Sequence, residues 1–180
     1  MVSFTISELN YRDAREVKQA ALVYSRGFSE EPTNLNLTPA RAEYELHHLL
    51  QPFSGSTERK VFVAKNEKGE VIGIAAGKLR NPDRVFEKKH LGGDNHYFMH
   101  GLTVHPDYRR RGIASALNQA RLQHCKELGC KVAYSFTTAE NAARQRQFAK
   151  EGFEKFHESR VFEHHAAKNL LVYHYLKRLA

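Results

Sequence analysis

The chain has 180 residues, 41% of them hydrophobic, which is enough for one well-buried core and short for two. Its 28 Lys and Arg against 20 Asp and Glu leave a net charge of +8, which favours an anionic ligand or a polyanion. No apolar leader opens the chain and no apolar run approaches the roughly 18–20 residues of a membrane span, so a single domain over 1–180, cytoplasmic and without a membrane, is expected.

In chain order, "FTISELN" alternates like a strand and "YRDAREVKQAALVYSRGF" follows with helical spacing through Val17, Ala21, Leu22, Tyr24 and Phe28. "TPARAEYELHHLL" predicts a second helix, with Thr38 as N-cap and Pro39 at its first position, ending near Pro52. Two β-branched runs around "NEKGE" predict a hairpin from Lys60 to Leu79. "RNPDRVFEKKHLGGDN" reads as a polar surface loop. "HYFMHGLTVHP" is apolar on both alternating faces, as a central strand covered on both sides requires.

"IASALNQARLQHCKELG" repeats apolar residues at Ile113, Leu117, Ala120 and Leu128 and stops at Gly129. "CKVAYSFTT" is a strand, "AENAARQRQFAKEG" a short helix closed by Gly152, and "FEKFHESRVF" and "NLLVYHYLKRL" are two further strands. The order β-α-α-β-β-β-α-β-α-β-β describes an α/β protein of mixed α+β type, with a central sheet of about six or seven strands flanked by about four helices.

Between the central strand and the helix that follows stands "VHPDYRRRGIASAL". Neither a dinucleotide fingerprint nor a nucleotide P-loop is present; what stands there is R-x-x-G-x-A at Arg109, Gly112 and Ala114. Small residues at a helix start let backbone N–H groups approach a ligand, and the helix terminus adds roughly half a positive charge, which suits a pyrophosphate. Three arginines there would otherwise oppose the helix dipole, so a bound anion resolves the conflict. The plainer alternative is that Arg109, Arg110 and Arg111 only solvate a helix start.

On these residues the chain resembles the GNAT superfamily of N-acetyltransferases. "LTVHPDYRRRGIASAL" is similar to its acetyl-CoA signature, a strand ending in L-x-V followed by [RQ]-x-x-G-x-[GA]. "ENAARQRQFAKEGF" is similar to its second segment, an Asn followed some eleven residues on by Gly-Phe. The two segments cover Tyr97 to Phe153.

The resemblance implies the GNAT acyl-CoA N-acyltransferase fold, acetyl-CoA as cosubstrate, no metal, and transfer of acetyl to a primary amine. It implies that backbone amides of Arg110, Arg111, Gly112, Ile113, Ala114 and Ser115, beside Arg109, hold the CoA pyrophosphate. The backbone of Leu102, Thr103 and Val104 would pair with the pantetheine arm like an added strand. Asn141 would contact the pantetheine, which is compatible with its other reading as a helix N-cap.

An amine must attack a thioester, yet a lysine-like amine of pKa ~10.4 is neutral in only about one molecule in a few thousand at pH 7, so a base is useful. His100, two residues before Leu102 on the same strand face, occupies a place where some GNAT enzymes carry a histidine, and an unperturbed pKa of ~6.5 suits it. The equal alternative is a core histidine. The more common family glutamate is Phe98 here. A backbone N–H around Leu102 would serve the developing oxyanion. The family's acid, a tyrosine seven residues after the Asn, is Phe148 here, so Tyr134, Ser135 or a water would have to substitute.

Phe148 therefore also supports a second reading, an acyl-CoA-binding sensor or regulatory module without transfer. A third, nucleic-acid binding driven by the +8 charge, is the weaker expectation because the basic residues are scattered. Cys125 and Cys130 with His124 fit no standard zinc spacing and read as reduced structural thiols. His47–His48 and His164–His165 read as surface pairs, and Lys88, Lys89, His90 and Gly92–Gly93 as a solvated loop. The resemblance places acceptor specificity around Phe28 to Phe53 and Phe156 to Tyr175 and also allows a homodimer.

Overall fold

Helical and alternating patterns of the sequence resolve into seven strands and five α-helices among the described residues of a computed structural model, which are 3–30, 36–50, 59–80, 85–92, 95–163 and 168–179. Strand β1 is Phe4–Glu8, followed by helices α1 (Ala14–Ser29) and α2 (Pro39–Leu50) and the hairpin β2 (Arg59–Asn66) and β3 (Val71–Arg80). Helix α3 (Val85–Leu91) leads to β4 (His96–Val104), a 3₁₀ turn (Pro106–Tyr108) and α4 (Ile113–Glu127). Then come β5 (Val132–Thr138), α5 (Ala142–Lys150), β6 (Glu154–Glu163) and β7 (Lys168–Arg178). The sheet order is β1-β2-β3-β4-β5-β7-β6, mixed because β4 and β5 are parallel while the other neighbours are antiparallel.

Local signals account for most of these boundaries. The Asp13 carboxylate accepts from the Arg15 and Glu16 amides and starts α1, and the Thr38 hydroxyl oxygen accepts from the Arg41 amide (3.2 Å) at the start of α2. In the hairpin, the Asn66 carboxamide oxygen accepts from the amides of Lys68 (3.0 Å) and Glu70 (2.9 Å), which closes the turn. Helices α4 and α5 stop shortly before Gly129 and Gly152.

Two apolar layers cover the sheet. On one side α1 buries Ala20, Ala21 and Tyr24 against Val61, Val63, Ile74 and Ala76. On the other, Ile113 and Leu117 of α4 meet Ala64, Ile72, Ala75 and Val104, and Leu122 and Cys125 meet Tyr97, Met99 and Phe148. Burying a side chain of this size contributes roughly 1.5–3 kcal/mol, so these layers carry the fold.

Two expectations are corrected. Leu22 is 54% exposed, because the helical stripe that faces the sheet runs through Val17, Ala20, Ala21 and Tyr24. The segment expected to be a loop contains α3, anchored by Leu91 against Phe98 and Val132. Helix α4 buries Asn118, Arg121 and His124 beside its apolar residues, a polar stripe that hydropathy does not register. Cys125 and Cys130 are free and buried, and burial pushes the Cys125 thiol up to about 12. Of the histidine pairs, His47 is exposed, while the His48 side chain and His164–His165 lie outside the described residues, as does Gly93. Lys88 and Lys89 are exposed.

Candidate active site

Strands β4 and β5 pair only at Tyr97↔Ala133 and Phe98↔Tyr134, although β4 continues to Val104 and β5 to Thr138. Beyond Phe98 the β4 edge facing β5 therefore has no strand beside it. Ser135 Oγ of β5 takes over part of the lost pairing by donating to the Met99 carbonyl (2.7 Å), and from α4 Arg121 Nη1 donates to the His100 carbonyl (2.9 Å). The same Nη1 donates to the Ala76 carbonyl (3.0 Å) on β3. These two carbonyls flank a bulge in which Gly101 and Leu102 stand opposite Ala75 alone. Gly101 has φ +63, and a Cβ there would lie 3.1 Å from Tyr24, so both conformation and space call for glycine.

A cavity of about 540 Å³ opens between the parted strands. Its walls include His100, Leu102, Thr103 and Val104 of β4, Ser135 and Phe136 of β5, and Tyr24 and Phe28 of α1. Asn141, Arg144 and Gln147 of α5 close one side, and Arg109 and Ala114 stand at the start of α4. Among the described residues no carboxylate lines it.

At the start of α4 the chain turns through two left-handed residues, Arg110 (φ 62) and Gly112 (φ 83). Gly112 is the N-cap and no side chain accepts from the first-turn amides, so the helix begins with N–H groups available to a ligand. Arg109 is held elsewhere: its Nε donates to the Val104 carbonyl (3.1 Å) and its Nη2 pairs with Glu30 (2.8 Å). The Arg111 guanidinium lies over the Tyr108 ring at 5.5 Å. This donor set, backbone amides at a positively charged turn, fits a pyrophosphate.

His100, Leu102, Thr103, Val104, Arg109, Ala114 and Asn141 thus share one cavity with the turn at Arg110–Gly112 on its rim. Asn141 also caps α5, its Oδ1 accepting from the Arg144 amide (3.0 Å). Ile113 is buried under the sheet and Ser115 Oγ donates to Glu151 (3.1 Å), so their side chains do other work.

Two candidates stand outside. Tyr134 is buried, with its hydroxyl 2.8 Å from His174 Nδ1, and does not line the cavity; His174 Nε2 is in turn 2.8 Å from Ser159 Oγ. Phe148 is fully buried against Phe153 and Tyr175 and is covered by Arg144, whose guanidinium lies 4.0 Å from the ring centroid. Arg144 and Arg121 escape a sequence reading because each looks like an ordinary solvent-facing helix cation. Only the buried polar chain that joins them distinguishes them.

The His100 ring stacks on Phe98 with centroids 5.2 Å apart. Burial, and then the charges of Lys78, Arg121, Arg59 and Arg80, push its pKa down to about 3. The unperturbed value expected for a base near neutrality is therefore not realised, and the ring is neutral throughout the physiological range.

The chain belongs to the acetyltransferase (GNAT) family, whose sequence model matches residues 26–153. No curated protein matches the sequence. Solved structures of similar fold include Arabidopsis thaliana NAA60 in complex with a bisubstrate analogue (16% identity, TM-score 0.74, 98% of each chain). The NatC complex bound to Gag peptide and CoA is similar over 99% of each chain (17% identity, TM-score 0.72). Ribosomal-protein-alanine N-acetyltransferase from Brucella melitensis is similar over 97% of this chain and 99% of its own (20% identity, TM-score 0.72). Among the described residues no helix is long and apolar enough to cross a membrane, and no group of three or more His, Cys, Asp or Glu could hold a metal ion.

Unfolded histidine takes up a proton below about 6.5, whereas His100 in the folded chain does so only near 3, so between these values the unfolded state holds more protons. This contribution to stability is present above about pH 6.5 and is lost as pH falls towards 3. Replacing His100 by Gln should flatten the decline in urea-unfolding stability between about pH 6.5 and pH 4, by at most ~1.4 kcal/mol per pH unit. Parallel curves for the two proteins would contradict the neutral assignment.

Proposed function

We propose that this chain is an N-acetyltransferase that moves acetyl from acetyl-CoA to a primary amine by direct attack. The observation that carries the reading is the parted β4–β5 pair, with an uncapped helix N-terminus behind two left-handed residues at one end of its cavity. The amides from Arg110 to Ser115 would hold the pyrophosphate and the exposed edge of Leu102 to Val104 the pantetheine arm. The amine lone pair forms a C–N bond at the thioester carbonyl, the C–S bond breaks, and its electron pair leaves with sulfur. One proton passes from nitrogen to water. A backbone N–H of the bulge around Leu102 is the candidate donor to the oxyanion.

The depressed pKa of His100 changes how the amine is prepared. A ring that protonates only near pH 3 is a weak base, so His100 serves as a hydrogen-bond acceptor for a neutral amine. The positive field of Lys78, Arg121, Arg59 and Arg80, which adds to burial in keeping the ring neutral, also disfavours an ammonium ion beside it. Deprotonation then comes from the field of the site, with water as the carrier. Burial of the Cys125 thiol and its raised pKa support transfer without an acyl-cysteine intermediate.

The structurally similar NatC complex holds a peptide, and the Brucella melitensis structure is named for acetylating an alanine of a ribosomal protein. A peptide amino terminus is accordingly the first acceptor to test beside polyamines, amino sugars and lysine. Phe148, which offers no hydroxyl, favours the second reading of an acyl-CoA sensor. Nucleic-acid binding has less support, because Arg109 is committed to Val104 and Glu30.

Thiol release from acetyl-CoA across an amine panel that includes amino-terminal peptides should exceed hydrolysis for at least one class. Stabilisation by acetyl-CoA with no release for any amine favours the sensor. In the same protein, Gly112→Val should weaken CoA binding about tenfold or more, because a β-branched residue at positive φ is strained by ~1–3 kcal/mol. Arg110→Ala should weaken it less, as read by calorimetry. The reverse order would return the turn to a side-chain-driven anion site.

A further inference from the structure

A single chain of polar contacts joins α4 to α5 beside the cavity. Arg144 Nη1 donates to Gln147 Oε1 (2.7 Å), and Gln147 Nε2 donates to Glu151 Oε1 (3.0 Å). Asn118 Nδ2 donates to Glu151 Oε2 (2.5 Å), and Arg121 Nη2 donates to Asn118 Oδ1. A guanidinium stands at each end and one carboxylate stands in the middle, so among the described residues the chain carries one uncompensated positive charge. Glu151 is already shared, since Ser115 Oγ also donates to it (3.1 Å).

The two cations have different outlets. Arg121 is fully buried and spends Nη1 on the His100 and Ala76 carbonyls at the bulge. Arg144 lines the cavity, lies over the Phe148 ring, and makes one side-chain hydrogen bond, through Nη1 to Gln147. Its Nε and Nη2 donors have no acceptor among the described residues. A half-buried guanidinium with spare donors, facing a cavity that no carboxylate lines among the described residues, is a site for a monoanion.

We propose that Arg144 is a catalytic residue that stabilises the thiolate of CoA as it leaves the acetyl group, replacing the acid that Phe148 cannot be. The inference rests on the acetyltransferase reading above. The step needs no proton from the protein: the electron pair of the broken C–S bond stays on sulfur beside the guanidinium, and solvent protonates the thiolate later. A thiol of pKa ~8.5 is a fair leaving group as its anion, so charge stabilisation can stand in for protonation. Burial lowers the Arg144 pKa to about 10, which still leaves it cationic at neutral pH. Its stacking on Phe148 holds the guanidinium plane in place, and a hydroxyl at position 148 would have to compete with that contact.

The test is the titration of CoA bound to the protein, followed by the ultraviolet absorbance of the thiolate, after calorimetry has established binding. In the unmodified protein the bound thiol should titrate about one to two units below free CoA. Arg144→Gln should return it to the free value and lower kcat roughly 10- to 100-fold, while Arg144→Lys keeps part of the shift. Arg146→Gln, which removes an exposed cation from the same helix, should behave as the unmodified protein does. A bound thiol that titrates as in free CoA, or equally low with and without Arg144, overturns the proposal while leaving the acetyltransferase reading standing. Failure of CoA to bind the unmodified protein overturns both. Thermal unfolding of each variant, with Arg144→Lys as the conservative partner, separates loss of the charge from loss of the fold.

Discussion

Everything at the site depends on a parallel strand pair that holds for two residue pairs and then separates. Beyond Tyr97 and Phe98, β4 has to satisfy its edge with something other than β5, because a backbone polar group left unpaired in a protein interior costs roughly 1–3 kcal/mol. The chain solves this with side chains: the Ser135 hydroxyl on the Met99 carbonyl and the Arg109 Nε on the Val104 carbonyl, while the Arg121 guanidinium satisfies the His100 and Ala76 carbonyls at the bulge towards β3. The bulge at Gly101 and Leu102 then turns β4 against the Tyr24 ring on the opposite side. What remains of the edge lines the cavity.

The electrostatics follow from the same arrangement. Arg121 has to be buried to reach the bulge, and burying one guanidinium brings Asn118, Glu151, Gln147 and Arg144 into one connected chain. Burial first, and then the positive charge of Lys78, Arg121, Arg59 and Arg80, keeps His100 neutral. On the proposed reading the same positive charge disfavours an ammonium ion and favours anions at both ends of the reaction, the pyrophosphate at the α4 turn and the sulfur beside α5. A site of this kind needs neither a strong base nor a hydroxyl acid. Its charge works on the ionisation of what enters.

The order of strands and helices was legible because hydrophobic periodicity, the cap Thr38 and the turn at "NEKGE" all act within a few residues. The left-handed turn that opens α4 was legible as a candidate anion site for the same reason, since Arg109, Gly112 and Ala114 form a local pattern. The rest depends on distance. Helix α3 is held by Leu91 packing on Phe98 and Val132, a contact a local window cannot register. Tyr134 alternates correctly along β5 yet points to His174 on β7, and Arg144 looks like any surface arginine until α4, carrying Asn118 and Arg121, lies beside it. Motifs pointed to the candidate site; long-range charge and hydrogen bonding determine how its residues behave.

The central claim, that the opened β4 edge and the α4 turn together receive acetyl-CoA, is tested most directly by amide hydrogen exchange with and without acetyl-CoA. The account predicts slowed exchange concentrated at Leu102–Val104 and Arg110–Ser115, with little change on β1 and β2. Protection confined to the β6–β7 hairpin, or spread evenly over the chain, would contradict it.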